Sequence, residues 1–180
     1  MRANASETAV LVIDYQEKLV PVMQNYQDFI HNSGILLQGV SELGVPVIMT
    51  QQYTRGLGET ISEIKNIDGI PDAFEKITFS CLWEEDIYDA LDNMNVKNVV
   101  VCGCEAHICV LQTVIDLLAE EYNVYLVRDC IASRHEEDKE TAIIRAQQEG
   151  AFITTYEAIL FELLERAGSE TFKKISKLIK

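Results

Sequence analysis

The stretch that most constrains the fold runs from residue 97 to residue 122, because its apolar pattern changes period partway along. Residues 99–102 form an apolar, β-branched run that is too short for a helix and ends at Gly103, which predicts a buried strand. From about Ala106 to Glu121 the apolar residues recur at three- and four-residue intervals, which predicts one face of a helix. The chain is therefore expected to turn from a strand into a helix near Cys109.

Cys109 is a candidate nucleophile because of this position. Backbone N–H groups at a helix start have no intrahelical partner, and the helix dipole favours negative charge there. The pKa of the Cys109 thiol is therefore expected to be lowered. A free cysteine is also among the most buried residue types, so a packing role for Cys109 stays open on position alone.

The rest of the chain alternates between predicted strands and helices. Apolar runs predict strands at residues 8–14, 45–50, 123–127 and 151–154, with a further apolar stretch at 74–83. Helices are predicted at 28–43, 84–94 and 135–149 and from residue 156, and residues 51–71 read as a surface loop that shapes a pocket. The alternation predicts a single domain, residues 1–180, with a doubly wound, mostly parallel α/β sheet of about six strands and helices on both faces.

Charge and apolar pattern narrow the possible partners. The chain carries 29 acidic and 15 basic residues, for a formal net charge of −14, and no basic block, so nucleic acid and anionic membranes are not expected as partners. No apolar run is long enough to span a bilayer, and the polar start predicts no signal peptide. We therefore expect a cytoplasmic protein that binds a small molecule and whose five cysteines form no disulfide framework.

Two more ionisable residues fall where the chain is expected to turn at the carboxyl edge of the sheet. Asp14 ends the first strand, where open α/β sheets bind ligands, although a helix cap is the simpler role for this residue alone. Lys76 is the single cation of an apolar stretch, where its ammonium either belongs to a site or reaches along its stem to water. With Cys109, these residues form the candidate reaction site.

These motifs resemble the isochorismatase-like superfamily of cysteine hydrolases, which has a Rossmann-like α/β fold. The similar segments are LVIDYQ (11–16), TQQYTRGLGET (50–60), EKITFS (75–80) and GCEAHICVLQTVIDLL (103–118). The resemblance implies Asp14 as the base, Lys76 as its charged partner and Cys109 as the nucleophile. It also implies a cis peptide between Cys104 and Glu105, with the backbone N–H groups of Glu105 and Cys109 forming an oxyanion hole.

The resemblance implies hydrolysis of an amide-like C–N bond in a small molecule through a thioester on Cys109. One alternative is a thiol switch or interaction protein that keeps the fold and a low-pKa Cys109 but turns over no substrate. Another is the vinyl-ether hydrolysis of true isochorismatases, which needs no thiol nucleophile. A thioester mechanism is favoured because all three residue types of the cysteine triad are present.

The sequence predicts no cofactor and no catalytic metal. Nicotinamidases of this superfamily carry an aspartate and two histidines, spaced as a metal site, after the second strand. This chain has QQYTR at residues 51–55, and its histidines are His31, His107 and His135, so that site cannot be built and nicotinamidase activity is not expected. The cysteines at 102, 104 and 109 are not spaced as two pairs of zinc ligands either.

Five residues are expected to line the substrate pocket. Gln16 follows the first strand, Tyr53 lies in the 51–71 loop, Phe79 and Trp83 follow Lys76, and His107 lies two residues before Cys109. For Phe79 and Trp83, packing in the core is an equal alternative.

The resemblance also implies a homo-oligomer. The C-terminal helices carry apolar residues that either form a subunit interface or pack on the chain's own sheet. These residues are Phe161, Leu163, Leu164, Phe172, Ile175 and Leu178.

Overall fold

The computed structural model describes residues 2–180, and its centre is a six-stranded sheet in which every neighbouring pair of strands is parallel. The strands are β1 (Thr8–Ile13), β2 (Val47–Gln52), β3 (Phe74–Lys76), β4 (Asn98–Cys104), β5 (Asn123–Ala132) and β6 (Phe152–Thr154). The helices are α1 (Tyr26–Glu42), α2 (Thr54–Leu57), α3 (Ser62–Lys65), α4 (Glu85–Asp92), α5 (Leu111–Ala119), α6 (Glu136–Glu149), α7 (Tyr156–Leu164) and α8 (Glu170–Ile179). Among these described residues, no helix is both long and apolar enough to cross a bilayer.

The strand order across the sheet is β3-β2-β1-β4-β5-β6. The chain builds outward from β1 to β3, returns to the centre, and then builds outward again from β4 to β6. The winding direction therefore reverses between β1 and β4, and in open α/β sheets the carboxyl ends of the strands at such a reversal form a crevice for ligands. The predicted doubly wound α/β fold is confirmed.

Two apolar layers bury the faces of this sheet, and β1 contributes to both. Val10 and Val12 pack in one layer with residues of α1, α7 and α8, whereas Ala9, Leu11 and Ile13 pack in the other with residues of α4, α5 and α6. All six residues of β1 are buried because successive side chains point to opposite, covered faces. The central strands therefore hold the carboxyl edge of the sheet rigidly.

The C-terminal helices pack mainly on the chain's own core. Leu163 and Ile175 are buried in the layer formed with α1, and Leu164 and Leu178 pack against it. Phe161 stays partly exposed, with its ring 6.4 Å from that of Phe172. Of the two roles considered for this apolar set, packing on the chain's own sheet is the one that the structure supports.

Two strands extend further than the apolar pattern predicts. β2 continues past Thr50 through Gln51 and Gln52, which pair with Glu75 and Lys76 of β3. β5 continues from Val127 to Ala132, and a register shift between Val101 and Gly103 maintains its pairing with β4. The strand predicted at residues 123–127 was therefore too short, because β5 is lengthened by its pairing with the end of β4.

Candidate active site

Asp14 and Lys76 form a fully buried ion pair at the carboxyl edge of the sheet. Asp14 follows the end of β1 with a backbone φ of 56°, and Lys76 is the last residue of β3. The Lys76 Nζ atom lies 2.8 Å from Asp14 Oδ2, and both side chains are 0% exposed. Thr50 Oγ1 donates a hydrogen bond to Asp14 Oδ1 at 2.8 Å. A helix cap at Asp14 and a water-exposed ammonium at Lys76 are both ruled out by these contacts.

The Lys76 ammonium has more acceptors than it has protons. Besides Asp14, it contacts Gln52 Oε1 at 2.6 Å and the backbone oxygens of Thr78 and Phe79 at 3.2 Å each, against three N–H donors. Burial acts to lower the pKa of Lys76, but the nearby negative charge, above all that of Asp14, outweighs it and the pKa is raised. Lys76 therefore stays protonated, and its charge is balanced by Asp14.

Cys109 lies across the winding reversal from Asp14, in a π turn that spans Ala106–Val110 and precedes α5. Such turns occur often at functional sites. The thiol is almost buried, with 6% of the residue exposed, and Thr113 Oγ1 donates to the Cys109 carbonyl at 2.7 Å. A helix start near residues 106–109 was correctly predicted, but its first turn is a π turn.

Close packing of β4 on β1 brings Cys109 to this position. Gly103 has a φ of 131°, and a Cβ atom there would lie 2.1 Å from the carbonyl oxygen of Ile13, so only glycine fits. The Cys104 thiol donates to the backbone oxygen of Asp14 at 3.2 Å. The ends of the two central strands are therefore joined directly beside Cys109.

The pKa of Cys109 is raised, which is the opposite of the prediction from its helix position. Burial raises the pKa of Cys109 most, and the charge of Asp14 raises it further, whereas Lys76 lowers it. A hydrogen bond to Asp14 also favours the protonated form of the thiol and raises its pKa. The dipole argument failed because Cys109 is desolvated and because Asp14 already neutralises Lys76. In the resting site Cys109 is a neutral thiol that lies 3.9 Å from Gln52 Oε1 and close enough to Asp14 for that carboxylate to raise its pKa.

Glu105 connects the π turn to the end of β5. The peptide bond between Cys104 and Glu105 is cis, as the resemblance implied. The Glu105 side chain pairs with Arg134, whose Nε and backbone N lie 3.0 Å and 3.3 Å from Oε2. The amides of Ile108 and Val110 donate to the Glu105 carbonyl. These bonds hold Glu105 from its side chain and from its backbone.

The residues expected to line a pocket have different environments. Tyr53, Phe79 and Trp83 are 50%, 53% and 73% exposed, so the two aromatic residues after Lys76 are not part of the core. The neighbouring Ile77, which was not predicted, is also exposed. His107 is partly buried, and its Nδ1 atom lies 2.9 Å from Ser133 Oγ.

Gln16 is a correction to the predicted pocket lining. It is fully buried, and its Nε2 atom donates to the backbone oxygens of Gln52 and Gly58 at 2.9 Å and 2.7 Å. Its Oε1 atom accepts from the Gln52 amide at 2.8 Å. Both amide hydrogens are thus used in backbone contacts, and Gln16 supports Gln52 from behind.

Gln52 is the residue at this site that the sequence analysis missed. Its Oε1 atom lies 2.6 Å from Lys76 Nζ and 3.9 Å from Cys109 Sγ. A polar residue after Thr50 looked like the start of a loop, because apolar periodicity cannot detect a strand end that lines a polar site. Within residues 2–180, no group of three His, Cys, Asp or Glu side chains is arranged to hold a metal ion.

Comparison with known proteins shows similarity along nearly the whole chain. The family model described as Isochorismatase domain matches residues 8–158. The Secreted isochorismatase effector Isc1 of Phytophthora sojae is 40% identical over 177 residues, which cover 96% of this chain and 84% of that protein.

Solved structures agree with this similarity. The structure of the MAR1 ribonuclease from Caenorhabditis elegans superposes with a TM-score of 0.92 at 36% identity, covering 99% of this chain and 92% of that one. The YcaC gene product of Escherichia coli, described as an octameric hydrolase of unknown specificity, shares the fold with a TM-score of 0.91 at 20% identity, covering 99% and 90% of the two chains.

Proposed function

The chain belongs to the isochorismatase family, and from this premise we propose that it is a metal-independent cysteine hydrolase. In this proposal it cleaves an amide-like C–N bond of a small molecule through a thioester on Cys109. The observation that carries the proposal is a buried cluster of a carboxylate, an ammonium and a thiol at the winding reversal. Asp14 and Lys76 are 2.8 Å apart, and Gln52 Oε1 lies within 2.6 Å of Lys76 Nζ and 3.9 Å of Cys109 Sγ. These are the base, the electrostatic partner and the nucleophile that acyl transfer requires.

Acylation begins with attack of Cys109 Sγ on the substrate carbonyl carbon. As the S–C bond forms, the thiol proton moves to Asp14, and negative charge develops on the carbonyl oxygen. The protonated Asp14 then gives this proton to the leaving nitrogen as the C–N bond breaks, which releases an amine and leaves a thioester. The neutral resting thiol fits this concerted transfer, since the pKa of Cys109 is raised by burial and by Asp14.

Deacylation uses Asp14 and Cys109 again, with water as the nucleophile and the Cys109 sulfur as the leaving group. Asp14 takes a proton from water as the water oxygen attacks the thioester carbonyl carbon, and the C–S bond then breaks. The sulfur recovers the proton from Asp14, so the enzyme returns to its starting state. Lys76 keeps its protons throughout, and its buried positive charge offsets the negative charge that moves between sulfur and the carbonyl oxygen.

The backbone N–H groups of Glu105 and Cys109 are proposed to bind the developing oxyanion. The ion pair of Glu105 with Arg134 and the bonds to the Glu105 carbonyl support this role, because they hold the donor in place before reaction. Tyr53, Phe79 and Trp83 are proposed to line the substrate entrance with His107. Backbone oxygens of residues 78 and 79 reach Lys76, so this segment lies at the reaction centre.

A trapped acyl-enzyme tests the proposal. The wild type, Cys109→Ala and the matched control Cys102→Ala are each incubated with a library of small amides and activated esters and analysed by peptide mass spectrometry. Cys102 lies in the opposite apolar layer from Cys109. We expect an acyl mass on the peptide containing Cys109 and turnover in the wild type and Cys102→Ala only. Full turnover of an amide or ester by Cys109→Ala would exclude the thioester route.

A thiol switch is the less favoured function because the thiols of this chain are protected. All five cysteines are buried, and burial raises the pKa of Cys81 to about 11 and that of Cys102 to about 12. Few thiolates are therefore present at neutral pH to react with peroxide. Peroxide sensitivity at micromolar concentrations, without an acyl adduct from any substrate, would reverse this preference.

Cleavage of RNA is not proposed, although one similar structure is a ribonuclease. The net charge of −14 and the lack of a basic block disfavour phosphate contacts, so the absence of a nucleic-acid partner stays a prediction. Incubation of the wild type and of Cys109→Ala with structured and single-stranded RNA tests it directly.

We propose a homo-oligomer and a cytoplasmic location. An octameric protein shares the fold, and the exposed Ile77, Phe79 and Trp83 offer an apolar surface beside the site. Light scattering at several protein concentrations tests the assembly. The location stays a prediction, and one relative is described as a secreted effector.

A further inference from the structure

The carboxamide of Gln52 lies between the two halves of the reaction centre. β2 is located between β1, which is followed by Asp14, and β3, which ends at Lys76, and the last side chain of β2 contacts the ion pair through Lys76. Its Oε1 atom accepts a hydrogen bond from Lys76 Nζ at 2.6 Å and lies 3.9 Å from Cys109 Sγ. One oxygen atom therefore contacts both the ammonium and the sulfur.

The orientation of this amide is determined by its other contacts. Nε2 of Gln52 donates to the Ile77 carbonyl at 2.7 Å, so the oxygen must be the atom that faces the ammonium, because an ammonium can only donate. The backbone of Gln52 is held by two hydrogen bonds to the Gln16 side chain: its N–H donates to Gln16 Oε1 at 2.8 Å, and its carbonyl accepts from Gln16 Nε2 at 2.9 Å. Gln16 is itself held by a hydrogen bond to the Gly58 carbonyl at 2.7 Å. Gln52 is thus oriented before any substrate binds.

We propose that Gln52 is a positioning residue of the reaction centre. Its neutral carboxamide oxygen holds the Lys76 ammonium beside Cys109. Asp14 is then the single carboxylate that can accept the thiol proton. This inference rests on the proposed function only where it takes Cys109 Sγ as the reacting atom.

The neutrality of Gln52 matters because the centre is buried. With Asp14 charged, Lys76 charged and the thiol neutral, the cluster carries no net charge, and the fully buried pair needs no counter-ion from solvent. A carboxylate at position 52 would put a second negative charge on the ammonium and beside the sulfur. It would oppose thiolate formation and would compete with Asp14 for the proton.

The chain provides a matched control in Gln51, the preceding residue of β2. Successive strand residues point to opposite faces, and Gln51 bonds Thr60 and Thr54 instead, with Oε1 2.8 Å from the Thr60 amide and Nε2 3.0 Å from Thr54 Oγ1. Gln51→Glu adds the same charge one residue away, outside the contacts of Lys76. Comparison of Gln51→Glu with Gln52→Glu therefore shows whether an effect on Cys109 depends on where the negative charge lies or only on the addition of one negative charge.

The experiment measures the rate of Cys109 alkylation by iodoacetamide against pH, by peptide mass spectrometry, in the wild type, Gln52→Glu, Gln52→Met and Gln51→Glu. For Gln52→Glu we expect a rate at neutral pH lower by about tenfold or more, with the rising part of the rate–pH profile displaced upward by about one pH unit or more. For Gln52→Met, which removes the acceptor without adding charge, we expect a smaller change of about threefold. Gln51→Glu should match the wild type within about twofold.

Two results overturn the inference. One is an equal response of Gln52→Glu and Gln51→Glu, and the other is an unchanged pH profile in Gln52→Glu with native circular dichroism. If iodoacetamide does not reach Cys109 in the wild type, the onset of thiolate absorbance in the far ultraviolet with rising pH measures the same displacement. The signal of Cys109 is obtained by subtracting the absorbance of the same protein carrying Cys109→Ala. Because neither measurement needs a substrate, failure to find turnover contradicts the proposed hydrolase and leaves this test of Gln52 decisive.

Discussion

The substitution Asp14→Asn isolates the energetic value of the buried ion pair. It removes one charge and keeps the shape of the side chain, so Thr50 can still donate to Oδ1, at 2.8 Å in the wild type. The Lys76 ammonium would then be fully buried with neutral acceptors only, namely Gln52 and two backbone oxygens. Breaking a buried pair from one side costs about 3–5 kcal/mol of unfolding free energy. The neutral acceptors retained here place the expected loss near 3 kcal/mol.

The pH dependence of this loss has a definite sign. In the wild type, burial acts to lower the pKa of Lys76, but the charge of Asp14 outweighs this effect and the pKa is raised. The contribution of the protonated Lys76 to stability is therefore complete below the pKa of the unfolded chain, near 10.4, and is lost only as the pH rises above that value. In Asp14→Asn, burial acts without that opposing charge and lowers the pKa of Lys76. Between the lowered pKa and 10.4 the unfolded chain binds more protons, so the stability of the variant rises with pH.

Urea unfolding followed by circular dichroism measures this effect between about pH 6 and about pH 9.5. We expect the difference between wild type and Asp14→Asn to be about 3 kcal/mol at the lower pH and to shrink as the pH rises. The double variant Asp14→Asn, Lys76→Met carries neither charge and should show no such trend. A difference below about 1 kcal/mol, or one that is constant with pH, would falsify the assignment of Lys76 as a buried ammonium held by Asp14.

Three further substitutions address the surroundings of the ion pair. Gly103→Ala places a Cβ atom 2.1 Å from the Ile13 carbonyl oxygen, so we expect a loss of about 3 kcal/mol or more in thermal unfolding; a change below about 1 kcal/mol would contradict it. Trp83→Ala removes an exposed side chain, so the melting temperature should stay within about 2 °C of the wild-type value. KM should rise several-fold if Trp83 contacts the substrate, and an unchanged KM would show that it does not. Arg134→Met removes a half-exposed ion-pair partner of Glu105, so the free energy of unfolding should change by about 1 kcal/mol or less. If the Glu105 amide is an oxyanion donor, kcat should fall at constant KM. Kinetics equal to those of the wild type would exclude that role.

The parts of the fold that could be predicted are those in which one sequence period dominates. The apolar run at residues 99–102 and the helical spacing after it located β4, α5 and the region of Cys109. The run ending at Asp14 located β1. Because parallel strands end at one edge, Asp14, Lys76 and Cys109 could be expected at the same place, and the structure brings all three together.

The remaining features depend on contacts between distant segments. The polar end of β2 could not be recognised, because Gln52 is in a strand only through its pairing with Lys76. The pKa of Cys109 was predicted in the wrong direction, since its burial depends on how α5 and the π turn pack against the sheet. The local sequence predicts the effect of the helix dipole on the pKa of Cys109, but it does not predict the loss of solvent that outweighs this effect.

The reversal of winding between β1 and β4 divides the reaction centre between two halves of the chain. Residues 2–92, as far as the end of α4, contain Asp14, Gln52 and Lys76, whereas residues 98–180, from β4 onward, contain Cys109. A chain cut between α4 and β4 would therefore hold the base in one fragment and the nucleophile in the other. Reaction of Cys109 in a mixture of the fragments, with a wild-type pH profile, would report that β1 and β4 have paired. The chemistry of this fold can thus serve as a reporter of the assembly of its own sheet.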